Sequence, residues 1–153
     1  MKAEKIIKTT EPIDIQIDGI TLLSVEEAGK VPNSQRAIGK VWWLRSPGDF
    51  DISTASVLGD GSVSDYGYHV NLNVLGVRPA LIFDLESSNL QINDQIVLAG
   101  YTWTVIDGGY ALCNEIVRNT CFRENWGAKD ANQYEASDIK KWLENWAREK
   151  GIL

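Results

Sequence analysis

His69 is the chain's single histidine, set in Tyr66-Gly67-Tyr68-His69-Val70-Asn71, and this one imidazole limits the chemistry the side chains can perform. Zinc sites with two histidine ligands are excluded. Cys113 and Cys121 are too far apart for a C-x-x-C element, so a structural zinc would need His69 and a carboxylate beside them. A cysteine with His69 would supply the nucleophile and base of a thiol dyad, but no nucleophile motif surrounds either thiol. Burial as small apolar side chains is the commoner role of such cysteines. Neither G-x-G-x-x-G nor G-x-x-x-x-G-K occurs, so phosphate-cradling loops of those kinds are missing. The reading is a protein that is not an enzyme, with no catalytic residues, no metal and no cofactor.

Carboxylates gather in the glycine-rich middle of the chain, Asp49 with Asp51 and Asp60 with Asp65. Oxygen-rich loops can hold calcium, but no D-x-D-x-D-G run with a closing glutamate is present, and bonding to turn amides is the ordinary use of such aspartates. Arg45, directly after Val41-Trp42-Trp43-Leu44, and Arg78, inside Gly76-Val77-Arg78-Pro79-Ala80, each stand where an apolar strand meets a loop. A guanidinium in that position needs a partner: a carboxylate or indole face that holds the loops, or a ligand. Trp43, Tyr66, Tyr68, His69, Asn71 and Asn73 add rings and amides to the same region, a composition similar to adaptable binding loops.

These residues are carried by 153 positions, enough for one domain over residues 1–153. With 44% hydrophobic and 24% charged residues the composition is that of a globular chain. Fifteen Lys and Arg against 21 Asp and Glu give a net charge of -6, with no basic block. That balance argues against direct binding of nucleic acid and suits a basic partner. No apolar run is long enough to span a membrane, and Met1-Lys2-Ala3-Glu4-Lys5-Ile6-Ile7-Lys8 develops no signal-peptide core. A cytoplasmic location with reduced thiols follows as an expectation.

Alternation through Pro12-Ile13-Asp14-Ile15-Gln16-Ile17-Asp18-Gly19 predicts a strand ending at Gly19. Ser24 with Glu27 forms a capping box for a short helix stopped at Gly29, and residues 30–40 read as a loop. Val41 to Arg45 is a strand in which adjacent tryptophans face opposite ways, so one of them needs a second layer to be covered. Asp60-Gly61 predicts a hairpin between Ala55-Ser56-Val57-Leu58 and Ser62-Val63. Val77 to Leu85 reads as one buried strand, residues 86–95 as a polar connection, and Ile96–Ile106 and Tyr110–Cys113 as two strands joined by Asp107-Gly108-Gly109. Asn132 and Glu135 look like the start of a helix whose core stripe is Ile139, Trp142, Leu143 and Trp146. The class is α+β, with a small mostly antiparallel sheet, irregular glycine-rich loops and one or two helices.

Trp42-Trp43-Leu44-Arg45-Ser46-Pro47-Gly48, followed by Gly76-Val77-Arg78-Pro79-Ala80-Leu81, resembles an uncharacterised bacterial and phage domain family, DUF6273. Tyr101-Thr102-Trp103-Thr104-Val105-Ile106, Ala111-Leu112-Cys113 and Ser137-Asp138-Ile139-Lys140-Lys141-Trp142-Leu143 are similar to other elements of that family, in a permuted order. The W-L-R-S and G-V-R-P-A core is also similar to the C-type-lectin-like fold of formylglycine-generating enzymes and variable retroelement binding proteins. Cys113 and Cys121 match no copper-binding motif of the enzyme branch, so the resemblance implies a scaffold that presents loops and leaves function to them.

The functional expectation is a phage or mobile-element protein that binds another macromolecule through residues 48–76. A basic host defence factor fits its charge, and an inhibitor of a defence nuclease, of the anti-CRISPR kind, is the specific version. The candidate contacts are Trp43, Arg45, Asp49, Asp51, Asp60 and Asp65, together with Tyr66, Tyr68, His69, Asn71 and Asn73. The alternative is a small-ligand or carbohydrate-binding module in which Trp43, Tyr66 and Tyr68 stack on sugar faces.

Overall fold

The computed structural model describes residues 2–5 and 12–153, with side chains from Ile15 onward. Met1 and residues 6–11, part of the opening run read above for a leader, lie outside the described residues. The chain runs β1 (Lys2–Lys5), β2 (Pro12–Asp14), β3 (Ile17–Thr21), α1 (Val25–Gly29), α2 (Asn33–Arg36), β4 (Trp42–Pro47), β5 (Ser53–Val57) and β6 (Val63–His69). It continues with β7 (Gly76–Val77), β8 (Ala80–Phe83), α3 (Leu85–Ser88), β9 (Gln95–Leu98), β10 (Tyr101–Ile106), β11 (Tyr110–Cys113), β12 (Arg118–Asn119) and α4 (Asp138–Glu149).

The class is α+β. Among the described residues the strands make two sheets, seven strands in the order β2-β1-β9-β10-β11-β8-β3 and five in the order β12-β7-β4-β5-β6. Pairing is antiparallel throughout except between β4 and β7, which run parallel at Trp42 and Gly76. A second sheet exists because the apolar stretch from Val77 to Leu85 is not one strand. Gly76–Val77 pair in the five-stranded sheet, Ala80–Phe83 pair in the seven-stranded sheet, and Arg78-Pro79 carries the chain between them. Proline has no N–H to give a ladder, so the break falls where the ladder would lose a donor.

This second layer settles the question raised by adjacent tryptophans. Trp42 and Trp43 are both fully buried, on opposite faces of β4. Trp43 enters the larger core with Phe122, Val70, Leu75 and Val77, while Trp42 enters a second core with Leu23, Val57, Ala80 and Leu112. The capping box at α1 is formed in both directions, the Ser24 hydroxyl accepting from the Glu27 amide and the Glu27 carboxylate from the Ser24 amide. Residues 30–40 contain the single turn of α2, and 86–95 that of α3 at their start. The strand predicted to end at Gly19 is broken at Ile15-Gln16 and runs on to Thr21.

Ile96–Ile106 folds back on itself, because Ala99 and Gly100 take φ of 55° and 81° and make a two-residue turn between β9 and β10. The final helix starts later than Asn132. Its cap is Ser137, whose hydroxyl accepts from the Lys140 amide, and Ile139, Leu143 and Trp146 are its buried stripe. Trp142 is half-buried, stacked on Trp146 with Arg118 over its face.

Candidate functional site

The site is built on β6, which lies at one edge of the five-stranded sheet among the described residues. Val57 pairs with Val63, and Gly59-Asp60-Gly61 turn the hairpin, one residue longer than the Asp60-Gly61 turn expected. Farther along, the register slips by two residues between Thr54 and Ser56, and the extra residues of β6 form a bulge at Asp65-Tyr66-Gly67. Gly67 has φ of 92°, and a Cβ there would stand 2.6 Å from the Thr54 carbonyl oxygen, so the bulge requires glycine. Its effect is to turn Tyr66 outward, 58% exposed.

The loop 48–52 is fastened beside this bulge. The Asp49 amide donates to the Tyr66 carbonyl at 3.1 Å, the Ser53 hydroxyl accepts from the Phe50 amide at 3.1 Å, and Asn132 Nδ2 donates to the Phe50 carbonyl at 3.1 Å. Phe50, 54% exposed, meets Tyr66 edge to face with ring centroids 5.3 Å apart. At the end of β6, His69 Nδ1 lies 3.1 Å from Asn71 Oδ1, and its ring meets Trp126 at 6.2 Å. Trp126 is 52% exposed. Tyr68 and Val74 line a groove of about 460 Å³ with Lys40, Val41 and Asn119. Asp49, Asp51 and Asp65 are exposed around these rings and make no ion pair among the described residues.

Of the residues singled out in the sequence, the structure gathers Asp49, Asp51, Asp65, Tyr66, Tyr68 and His69 along β6 and its flanking loops, with Asn71 and Asn73 exposed in the following turn. Three do not join them. Trp43 is fully buried and donates its indole N–H to the Thr120 carbonyl at 2.8 Å, so it is a core residue that no ligand can stack on. Arg45 is held by Glu27, with a side chain only 28% exposed. Asp60 sits at the hairpin tip, accepting from the Ser62 amide at 3.0 Å, and this bond lowers its pKa. Phe50 and Trp126 are the residues that sequence reasoning missed. Trp126 could have been found from its setting, Arg123-Glu124-Asn125-Trp126-Gly127, where no apolar periodicity gives an indole a core to enter.

Neither thiol is paired with the other, and burial pushes Cys113 up to about 11. Among the described residues no three His, Cys, Asp or Glu side chains are grouped to hold a metal ion, and no helix is long and apolar enough to cross a membrane. No protein-family model, curated protein or solved structure matches the chain.

Proposed function

We propose that the protein is a non-enzymatic binding protein whose β6 face recognises another protein with a basic surface. The observation that supports this most is the exposure of Phe50, Tyr66, Tyr68 and Trp126 on and around β6, beside a loop 48–52 tied down by the Asp49 amide, the Phe50 amide and Asn132. Large exposed aromatic rings on a fixed support contribute most of the affinity at protein interfaces, because little side-chain freedom is lost on binding. Asp49, Asp51 and Asp65, without an ion pair among the described residues, suit a cationic partner at the rim and would speed encounter with it.

A cytoplasmic role for a phage or mobile element, with a host defence nuclease as the basic partner, is the specific form of the proposal. It draws on the resemblance of the Trp42–Gly48 and Gly76–Leu81 motifs and on the charge of -6. The test begins with affinity capture from a bacterial host lysate, after which the captured protein is purified and the complex run on size exclusion at low and moderate salt. The triple variant Phe50→Ser, Tyr66→Ser, Trp126→Ser is expected to lose the complex while keeping its thermal unfolding curve. A variant that folds and binds like the parent would remove the β6 face from the proposal.

A further inference from the structure

Arg78 is a buried cation without a buried anion. The residue is 3% exposed, and it takes part in no ion pair among the described residues. Nε donates to the Cys113 carbonyl at 2.7 Å, Nη1 donates to the Gln35 carbonyl at 2.8 Å, and the guanidinium lies 4.8 Å from the centre of the Trp42 ring. These groups orient the cation with partial charges only. Nη2 has no acceptor among the described residues. Burial lowers the group to about 10, which leaves it protonated at neutral pH. An isolated buried charge is costly unless something of opposite sign meets it.

Beside Arg78 is a hollow of about 300 Å³ between α2 and the β9–β10–β11 hairpins. That is at the lower end of the size range of small-ligand sites. Its walls are rich in neutral amides. Gln35 Nε2 donates to Asn93 Oδ1 at 3.1 Å, and the Thr104 hydroxyl donates to Asn114 Oδ1 at 2.6 Å. Gln35 Oε1 is buried with no hydrogen-bond partner. Ile38 and Leu112 supply apolar wall. The hollow thus combines one unmatched positive donor, one unmatched acceptor and an apolar side.

We propose that this hollow is a binding site for a small carboxylate that also carries a hydroxyl or amino donor, its carboxylate on Arg78 and its donor toward Gln35 Oε1. One guanidinium with two of its nitrogens already committed matches a single negative charge. A phosphate dianion would bring a second charge against neutral amides with nothing to balance it. The residues involved are distinct from those of the β6 face, so the two proposals stand or fall separately.

The test is calorimetric titration of the intact protein with L-lactate and L-serine, with lactamide and inorganic phosphate as comparators, while tryptophan emission reports on Trp42 beneath the cation. Saturable one-to-one binding is expected for at least one of the two carboxylates, with lactamide at least about tenfold weaker. Arg78→Lys, which keeps the charge and loses the fork, is expected to weaken binding by about tenfold or more. Should that variant not fold, Ser34→Trp carries the test, because Ser34 is an exposed residue lining the hollow and an indole there would fill it without entering the core. Absence of saturable binding of both carboxylates to the parent would overturn the proposal. So would equal binding of lactamide, tighter binding of phosphate, or binding undisturbed in Ser34→Trp.

Discussion

Glu27 and Arg45 meet fork to fork: Oε1 lies 2.5 Å from Nη1, and Oε2 lies 2.7 Å from Nη2. The same carboxylate caps α1 through the Ser24 amide at 3.0 Å and accepts the Tyr110 hydroxyl at 2.7 Å, so it ties the first helix to β4 and to β11. Burial alone would raise its pKa, but the bonds from Arg45, the Ser24 amide and Tyr110 outweigh burial and hold it at about 2.

A carboxyl lowered in the folded state stabilises the fold fully above its unfolded value of 4.5, and that contribution is lost as pH falls toward about 2. Unfolding in urea is therefore expected to show stability falling through that interval, with a shallower fall in Glu27→Gln. At neutral pH Glu27→Ala is expected to cost about 2–3 kcal/mol, since Arg45 and Tyr110 lose a charged acceptor together. An equally steep acid limb in Glu27→Gln would assign the fall to other carboxylates.

Leu143 and Trp142 are neighbours on α4 with different surroundings, the first fully buried and the second half-buried. Leu143→Ala is expected to cost about 2–5 kcal/mol by leaving a cavity. Trp142→Ala should cost less, about 1–2 kcal/mol, because part of that side chain's surface is already in water. Chemical denaturation of both variants checks the order.

Gly67→Ala places a methyl against the Thr54 carbonyl oxygen at a left-handed backbone position, and a loss of about 1–3 kcal/mol is expected. Hydrogen exchange should quicken in β5 and β6 first. Gly100→Ala offers the comparison, since its φ is also positive but open space surrounds the added carbon. It should cost less.

Cys113 is fully buried and its thiol is pushed up to about 11. Native protein at pH 8 is expected to leave it unalkylated by iodoacetamide, and urea should release it, because the thiolate is the reactive form. Mass spectrometry of the native and unfolded digests reads the difference.

The sequence shows some of this plainly and hides the rest for physical reasons. Ser24 and Glu27 are three residues apart, so their capping box can be read locally, but the pairing of Glu27 with Arg45 spans 18 residues and depends on how β4 docks. The stripe of α4 is legible from its 3.6-residue period. Its cap is not, because Asn132 and Ser137 are both good caps and only packing decides that Asn132 turns to the Phe50 carbonyl. The aspartates and tyrosines of the candidate face were visible as a composition. The outward turn of Tyr66 depends on a bulge at Gly67 that no local pattern announces, and the burial of Trp43 depends on a second layer made by distant strands.

The handover at Arg78-Pro79 sets an order of events for a chain being made. β4 cannot complete its parallel pairing until Gly76 exists, and β3 cannot find its neighbour until Ala80–Phe83 has emerged, some sixty residues after Ile20. At about 5–20 residues per second that is a wait of roughly 3–12 s. Trp42 and Trp43 emerge partway through that wait and have no second sheet to cover them for the rest of it. Nascent chains of this protein are therefore expected to keep two adjacent indoles uncovered past the proline handover, until Leu112 has followed for Trp42 and Phe122 for Trp43.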